Sequence, residues 1–282
     1  EQGYDVIGVT MEIWQPDKVE VDGSCCGLSA VEDARSVANI LGIPYYVLNF
    51  RKEFKESVID YFIDDLEKRY NLRVLLVNEY EEVPKILAEL NQKIRNRRVF
   101  ISGSFGSYKT DIEQYSHNLS KSLAFSLLGN NYRIVNGIGR RFGTHLIGYA
   151  NEYLAKEGVK DIEKYLIVRP FVGKGENAIT EKRYLREEVI SKCGSAIFVF
   201  GDCIPNTKSG VMEEFDIACK QHKTIIPIAY PNMISDDIWK KVNENITSYP
   251  YLEGLINKLS SNESIESLSK TIIHILDSVQ DI

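Results

Sequence analysis

The sequence predicts an α/β protein with a mostly parallel sheet and helices on both faces, preceded by a partial α/β segment. Short strands rich in β-branched residues alternate along the chain with amphipathic helices, which is typical of a parallel sheet. The 282 residues correspond to about two domains. Apolar residues make up 44% of the chain and charged residues 26%, as in ordinary globular proteins.

The first third of the chain predicts a partial α/β segment. A strand at 6–11 precedes a loop at 16–27, and Ser29 with Glu32 forms a capping-box pattern at the start of a helix that ends at Gly42. The pattern then predicts a strand at 44–50, a helix at 53–69, a strand at 73–77 and a helix at 83–94.

The rest of the chain repeats the strand–helix pattern more regularly. Strands are predicted at 98–103, 132–136, 165–168, 195–200 and 224–228, and helices at 115–128, 143–157, 182–192, 211–221 and 267–278. In such sheets, ligands bind at the carboxyl ends of the strands, so the loops that follow the strands are the places to look for chemistry.

Charge and cysteine content exclude several classes of protein. The net charge is −6, with −8 on residues 1–66 and +2 on residues 67–282, which disfavours nucleic-acid binding and suggests two units of different origin. Apolar runs are too short to span a bilayer, and five cysteines fit a reducing cytoplasm better than a disulfide scaffold. Neither the adjacent Cys25 and Cys26 nor the four histidines have metal-ligand spacing, so no metal is expected.

Two of the post-strand loops are rich in glycine. Gly103 and Ser104 lie in a small-residue loop at 102–107, where a phosphate site and a tight turn are about equally good interpretations. The loop at 136–144 contains Gly137, Gly139, Arg140, Arg141, Gly143 and Thr144. Its spacing differs from the dinucleotide fingerprint, but glycines at a helix start together with two arginines favour phosphate binding over a solvated charge pair.

Two further loops supply charged residues. Arg169 and Phe171 follow the strand at 165–168, with Phe171 more typical of a core edge than of a base stack. Lys182 and Arg186 lie four residues apart on one helix face and point either at an anion or at water. Gly210, Glu213 and Glu214 open the next helix, where acids either complement the helix dipole or accept hydrogen bonds from a ribose. We expect Arg140, Arg141, Arg169 and Arg186 to converge on one pyrophosphate.

These four loops, over about residues 96–240, resemble the SLOG superfamily of Rossmann-like nucleotide binders, and within it the sensor domains of Thoeris antiphage effectors (ThsA-like). The matching stretches are 98–104, 134–144, 166–171, 184–190, 196–201 and 210–218, and residues 70–90 resemble the connector before such sensors. The resemblance implies a receptor for a cyclic ADP-ribose isomer made by a TIR-domain protein, in a homo-oligomeric effector that destroys NAD. It implies no required cofactor.

Residues 1–66 are similar to the N-terminal part of bacterial tRNA 2-thiouridylases (MnmA-like), on the stretches 4–14, 25–26, 31–38, 41–44 and 49–61. The chain lacks that family's Ser-Gly-Gly-Val-Asp-Ser loop and the sirtuin-like core, so we expect neither tRNA thiolation nor NAD hydrolysis from this chain alone. The resulting division is 1–66, a connector at 67–95, and a SLOG-like domain at 96–282.

Two other functions stay open at this point. Lonely-guy phosphoribohydrolases of the same superfamily use an arginine and a glutamate, for which Arg186 and Glu213 or Glu214 are candidates, although the loop at 206–211 lacks their Pro-Gly-Gly-x-Gly-Thr pattern. The third interpretation is a non-catalytic remnant of a tRNA-modifying enzyme.

Overall fold

The computed structural model describes residues 3–13, 28–70, 72–77, 79–106, 110–173, 175–203 and 209–280. The chain divides into two compact units, residues 1–86 and 87–282. The predicted loop at 16–27, which includes Cys25 and Cys26, lies outside the described residues.

The first unit contains a two-stranded parallel sheet. Strands β1 (Gly8–Glu12) and β2 (Tyr45–Asn49) pair in parallel, with helix α1 (Leu28–Leu41) between them in the chain. The helical stretch that follows consists of α2 (Arg51–Phe54), a π-helical turn (Lys55–Ile59) and α3 (Asp60–Tyr70). Among its described residues, only Val31 and Ala38 are buried apolar side chains, so this unit has little core of its own.

The predicted strand at 73–77 is wrong. Residues 72–77 form neither helix nor strand, and Leu75 and Leu76 are more than half exposed. A strand needs a neighbour to accept its backbone hydrogen bonds, and the sheet of this unit contains only β1 and β2 among the described residues. The apolar character of a run therefore does not suffice to make it a strand.

The second unit is built on a five-stranded parallel sheet in the order β5-β4-β3-β6-β7. Its strands are β3 (Arg98–Ser104), β4 (Arg133–Asn136), β5 (Leu166–Val168), β6 (Ser195–Phe200) and β7 (Thr224–Ile228). All six residues of β6 are buried, as expected for a strand covered on both faces. The α/β prediction is confirmed.

Helices precede, connect and follow these strands. They are α4 (Glu82–Asn96), α5 (Thr110–Gly129), α6 (Phe142–Lys156), α7 (Ala178–Ser191), α8 (Gly210–Lys220), α9 (Ile234–Glu244) and α10 (Ile265–Ser278). Helix α9 was not predicted from the sequence. In the described part of the chain, no helix has the length and apolar character needed to cross a membrane.

The two sides of β3 show how helices cover both faces of this sheet. Ser102 is hydrogen-bonded to Glu214 of α8, whereas the space beside Gly103 is filled by Phe142 of α6. Successive residues of a strand face opposite sides, so α8 and α6 lie on different faces. The chain adds β4 and β5 on one side of β3 and then β6 and β7 on the other side. This reversal of direction places the topological switch point at β3.

Candidate functional site

A cavity of about 480 Å³ lies at the carboxyl end of the sheet, where β3 is flanked by β4 and β6. This is the switch point at which parallel sheets of this kind bind ligands. Loops after all three strands and the starts of neighbouring helices line it: Ile101, Ser102, Gly103, Ser104, Asn136, Gly137, Ile138, Gly139, Arg140, Pro170, Phe171, Val172, Arg186, Asp202, Ser209, Gly210, Val211 and Glu214.

The loop between β4 and α6 is held by the buried side chain of Asn136. Its amide nitrogen donates to the carbonyl oxygen of Ile101 at 2.8 Å, and its amide oxygen accepts from the backbone N–H of Ile138 at 2.7 Å. Ile138 and Arg141 have φ angles of +56° and +58°, which non-glycine residues seldom adopt. The side chain of Asn136 thus fixes a strained loop against the end of β3.

Close approach of backbones explains Gly139. A Cβ atom there would lie 2.0 Å from the carbonyl oxygen of Gly103, so only glycine lets the β4–α6 loop contact the end of β3. Gly137 has a comparable role, since a Cβ atom would lie 2.3 Å from the ring of Phe171. These glycines shape the cavity through packing, and they also leave backbone groups accessible along its wall.

A partly buried polar cluster supplies Ser102, Arg186 and Glu214 to the opposite wall. Arg186 donates from Nε to Glu214 at 3.1 Å and from Nη1 to Glu213 at 2.8 Å. Ser102 donates to the other carboxylate oxygen of Glu214 at 2.5 Å. Burial raises the pKa of the Glu214 carboxyl group, and the hydrogen bonds from Ser102 and Arg186 oppose that shift. The guanidinium group of Arg186 also lies 5.2 Å from the ring centre of Phe171.

Arg140 lies at the mouth of the cavity. Arg140 and Asp202 both lie beside Gly106. A Cβ atom added at Gly106 would be 3.8 Å from Arg140 Nη1 and 3.1 Å from Asp202 Oδ2. No carboxylate of the described residues forms an ion pair with Arg140, in contrast to Arg186. An anion in the cavity would therefore meet Arg140 as a cation that forms no ion pair with any described carboxylate.

The residues that form this sheet match a known protein family. The model of the Sir2- and TIR-associating SLOG family matches residues 82–279. The chain belongs to this family. We refer to the matched part as the SLOG domain. A second model, of the tRNA methyl transferase HUP domain, matches residues 1–71.

Curated relatives come from two groups. The NAD(+) hydrolase ThsA of Bacillus cereus is 32% identical over 240 residues, which are 80% of this chain and 49% of that protein. The tRNA-specific 2-thiouridylase MnmA of Clostridioides difficile is 73% identical over 66 residues, 23% of this chain and 18% of that protein. The MnmA of Clostridium perfringens is 56% identical over 90 residues, 31% of this chain and 25% of that protein. The chain thus spans about half of ThsA and a quarter or less of the thiouridylases.

The SLOG domain brings nine of the predicted site residues to the cavity wall. They are Gly103, Ser104, Gly137, Gly139, Arg140, Phe171, Arg186, Gly210 and Glu214. Phe171 reaches the cavity although its sequence context is more typical of a core edge. Whether these residues bind a ligand remains a prediction.

Six predicted residues do not line this cavity. Arg141 donates to Glu113 at 3.1 Å on α5, Thr144 is exposed and donates to the carbonyl oxygen of Arg141, and Gly143 packs against Asn136. Arg169 is exposed, and Lys182 is half-buried on α7. Glu213 accepts a hydrogen bond from Arg186 but does not line the cavity itself. The expected convergence of four guanidinium groups is therefore wrong in this structure, since only Arg140 and Arg186 reach the cavity.

Four polar residues in the wall of the SLOG cavity were not predicted as site residues: Ser102, Asn136, Asp202 and Ser209. All four stand in the post-strand loops that were singled out from the sequence, with Asp202 two residues beyond β6 in the loop at 201–214. The position of a polar residue just after a buried strand was the available signal. Outside the cavity, Glu113, His117 and His145 form the one group of the described residues that could hold a metal ion.

Proposed function

We propose that the SLOG domain binds a cyclic ADP-ribose-type nucleotide in this cavity and serves as the sensor part of a Thoeris antiphage effector. The observation that carries the proposal is the cavity at the switch point of a SLOG sheet, with Arg140 at its mouth and no ion pair from Arg140 to a described carboxylate. Its volume of about 480 Å³ lies within the range of roughly 300–1,000 Å³ typical of small-molecule sites.

The wall offers a partner for each part of such a ligand. Arg140 and the backbone of the glycine loop after β4 suit a pyrophosphate. Asp202 suits the ribose hydroxyl groups, because a carboxylate accepts hydrogen bonds from them. Phe171, backed by the guanidinium group of Arg186, offers an aromatic face for a base.

The proposed role of the sensor within an effector is supported by a relative of known name. A protein named NAD(+) hydrolase ThsA shares this domain, so we propose that the sensor controls NAD hydrolysis in a longer effector. We further propose that a TIR-domain protein makes the nucleotide signal and that binding drives homo-oligomer assembly. The domain itself needs no cofactor for this role. Light scattering with and without nucleotide measures the assembly.

Calorimetric titration of the full chain tests the proposal. Cyclic ADP-ribose isomers are titrated beside ADP-ribose, NAD and ATP, and we expect one cyclic isomer to bind most tightly. Arg140→Ala should weaken that binding by ~10- to ~150-fold, since a hydrogen bond to a charged group contributes about 1.5–3 kcal/mol.

Arg183→Ala is the matched control for this substitution. Arg183 is exposed on α7 and pairs with Glu187 at 3.0 Å, away from the cavity lining. Its removal should leave the affinity unchanged. The proposal fails if none of the nucleotides saturates the wild-type protein, or if the two arginine variants bind equally well.

A phosphoribohydrolase is the second candidate, and the pairing of Arg186 with Glu213 and Glu214 favours it because that enzyme class uses these residue types. In this structure, however, the three side chains satisfy one another, and Glu213 lies outside the cavity wall. We therefore prefer a binding function. Release of free base from AMP or cytokinin-type nucleotides would reverse that preference.

The first unit supports a third, weaker candidate, a remnant of tRNA thiolation, because residues 1–71 match a HUP domain model. Its net charge of −8 over residues 1–66 opposes contact with phosphates. Filter binding of tRNA at low salt is expected to show no retention. Retention that survives removal of nucleotides from the SLOG cavity would support the remnant.

A further inference from the structure

A compact group of nitrogen and oxygen ligands joins helices α5 and α6, away from the cavity lining. Glu113 and His117 lie one helical turn apart on α5, and His145 reaches them from α6. The two imidazole rings stack with their centres 3.7 Å apart and 22° between their planes. One ligand atom of each of the three residues lies within 4.8 Å of the other two, and all three are partly buried.

Hydroxyl groups hold one nitrogen of each histidine. His145 Nδ1 lies 3.0 Å from Ser116 Oγ, and His117 Nδ1 lies 3.2 Å from Tyr149 Oη. Metal-binding histidines usually have their second nitrogen fixed in this way, which orients the ring and leaves the other nitrogen for the ion. Nε2 is thus the nitrogen that each ring leaves for an ion, and one of the stacked rings must turn for both lone pairs to meet the same ion.

The Nε2 atom of His145 faces a carboxylate oxygen. It lies 3.3 Å from Glu113 Oε1, while Glu113 Oε2 accepts from Arg141 at 3.1 Å. Two lone pairs in that position repel each other unless a proton or a cation lies between them. Tetrahedral zinc, with bonds of about 2.1 Å, separates its ligand atoms by about 3.4 Å, close to this spacing.

We propose that Glu113, His117 and His145 form a binding site for a divalent transition metal, with Zn²⁺ as the best match. Two imidazole nitrogens and one carboxylate oxygen are ligands that zinc favours, and a water molecule completes the tetrahedron. Glu113 binds through Oε1 and keeps its bond to Arg141 through Oε2. The ion then cross-links α5 and α6 and stabilises the SLOG domain by binding the folded state. The sequence alone predicts no metal, because spacing along the chain does not show which residues of different helices lie side by side.

Zinc titration of the chelator-treated full chain tests this site. We expect saturable binding of one equivalent of ZnCl₂, unaffected by an excess of MgCl₂, with a rise in the midpoint of thermal unfolding. Co²⁺ should give the visible absorption bands of a four-coordinate ion. His117→Gln and Glu113→Gln should each weaken binding by at least tenfold.

His274→Gln is the matched control, because His274 is an exposed histidine on α10. It should bind zinc like the wild type. Circular dichroism without metal establishes whether each variant is folded. If His117→Gln does not fold, Glu113→Gln provides the test. Zinc that remains bound in both ligand variants, as it would on cysteines, overturns the proposal. So does the absence of saturable zinc binding in the wild type.

Discussion

Replacing Gly139 by alanine tests the packing of the cavity loops. The new Cβ atom would lie 2.0 Å from the carbonyl oxygen of Gly103, whereas carbon–oxygen contacts normally begin at about 3.3 Å. The loop after β4 must therefore move from β3 by about 1.3 Å. Overpacking of this size costs about 1–3 kcal/mol of folding free energy. The same movement displaces Arg140, so nucleotide affinity should fall by at least tenfold.

Thermal unfolding and calorimetric titration measure the two effects, with Gly148→Ala as the control. Gly148 lies within α6, and a Cβ atom there would meet nothing within 4 Å. Alanine inside a helix should raise stability by about 0.5–1 kcal/mol and leave affinity unchanged. The reasoning is refuted if Gly139→Ala unfolds at the wild-type temperature, or if it loses stability without losing affinity.

The remaining predictions compare two tyrosines of the SLOG domain by the same substitution. Tyr132→Phe should lower the free energy of unfolding by about 1 kcal/mol, because the hydroxyl group of Tyr132, the residue before β4, donates to Asp277 of α10 at 2.7 Å. Tyr115→Phe should leave stability unchanged or raise it by about 1 kcal/mol, because Tyr115 Oη is buried and has no hydrogen-bond partner among the described residues. Urea unfolding measures both, and equal effects of the two substitutions would contradict the hydrogen-bond assignment.

Local sequence patterns predicted the strands and most helices of the SLOG domain, because the apolar pattern and residue propensities of each segment agree with the structure that it adopts. Strand β6 is apolar throughout since both faces are covered, and that pattern is visible without any tertiary knowledge. The predicted strand at 73–77 shows the limit of the approach. Its residues have strand propensity, but a strand also needs a pairing neighbour, which no local pattern can report.

The candidate site was predictable in its position but not in its side-chain directions. The loops after β3, β4 and β6 meet at the switch point, as parallel topology requires. Arg140 and Arg141 are adjacent in the chain, yet one lines the cavity and the other pairs with Glu113, 28 residues away. Their directions depend on partners from a distant helix and on the positive φ of Arg141, and neither is encoded in a short motif.

The two arginines that do reach the cavity differ in what they can offer a ligand. Arg186 is held by the carboxylates of Glu213 and Glu214, so its positive charge is already balanced and its guanidinium plane serves mainly as a wall behind Phe171. Arg140 has no such partner among the described residues, so the attraction for an anion rests on it and on the backbone of the glycine loop. A ligand without phosphate would gain little from Arg140. Nucleotide affinity should therefore fall with rising salt in the wild type and depend much less on salt in Arg140→Ala.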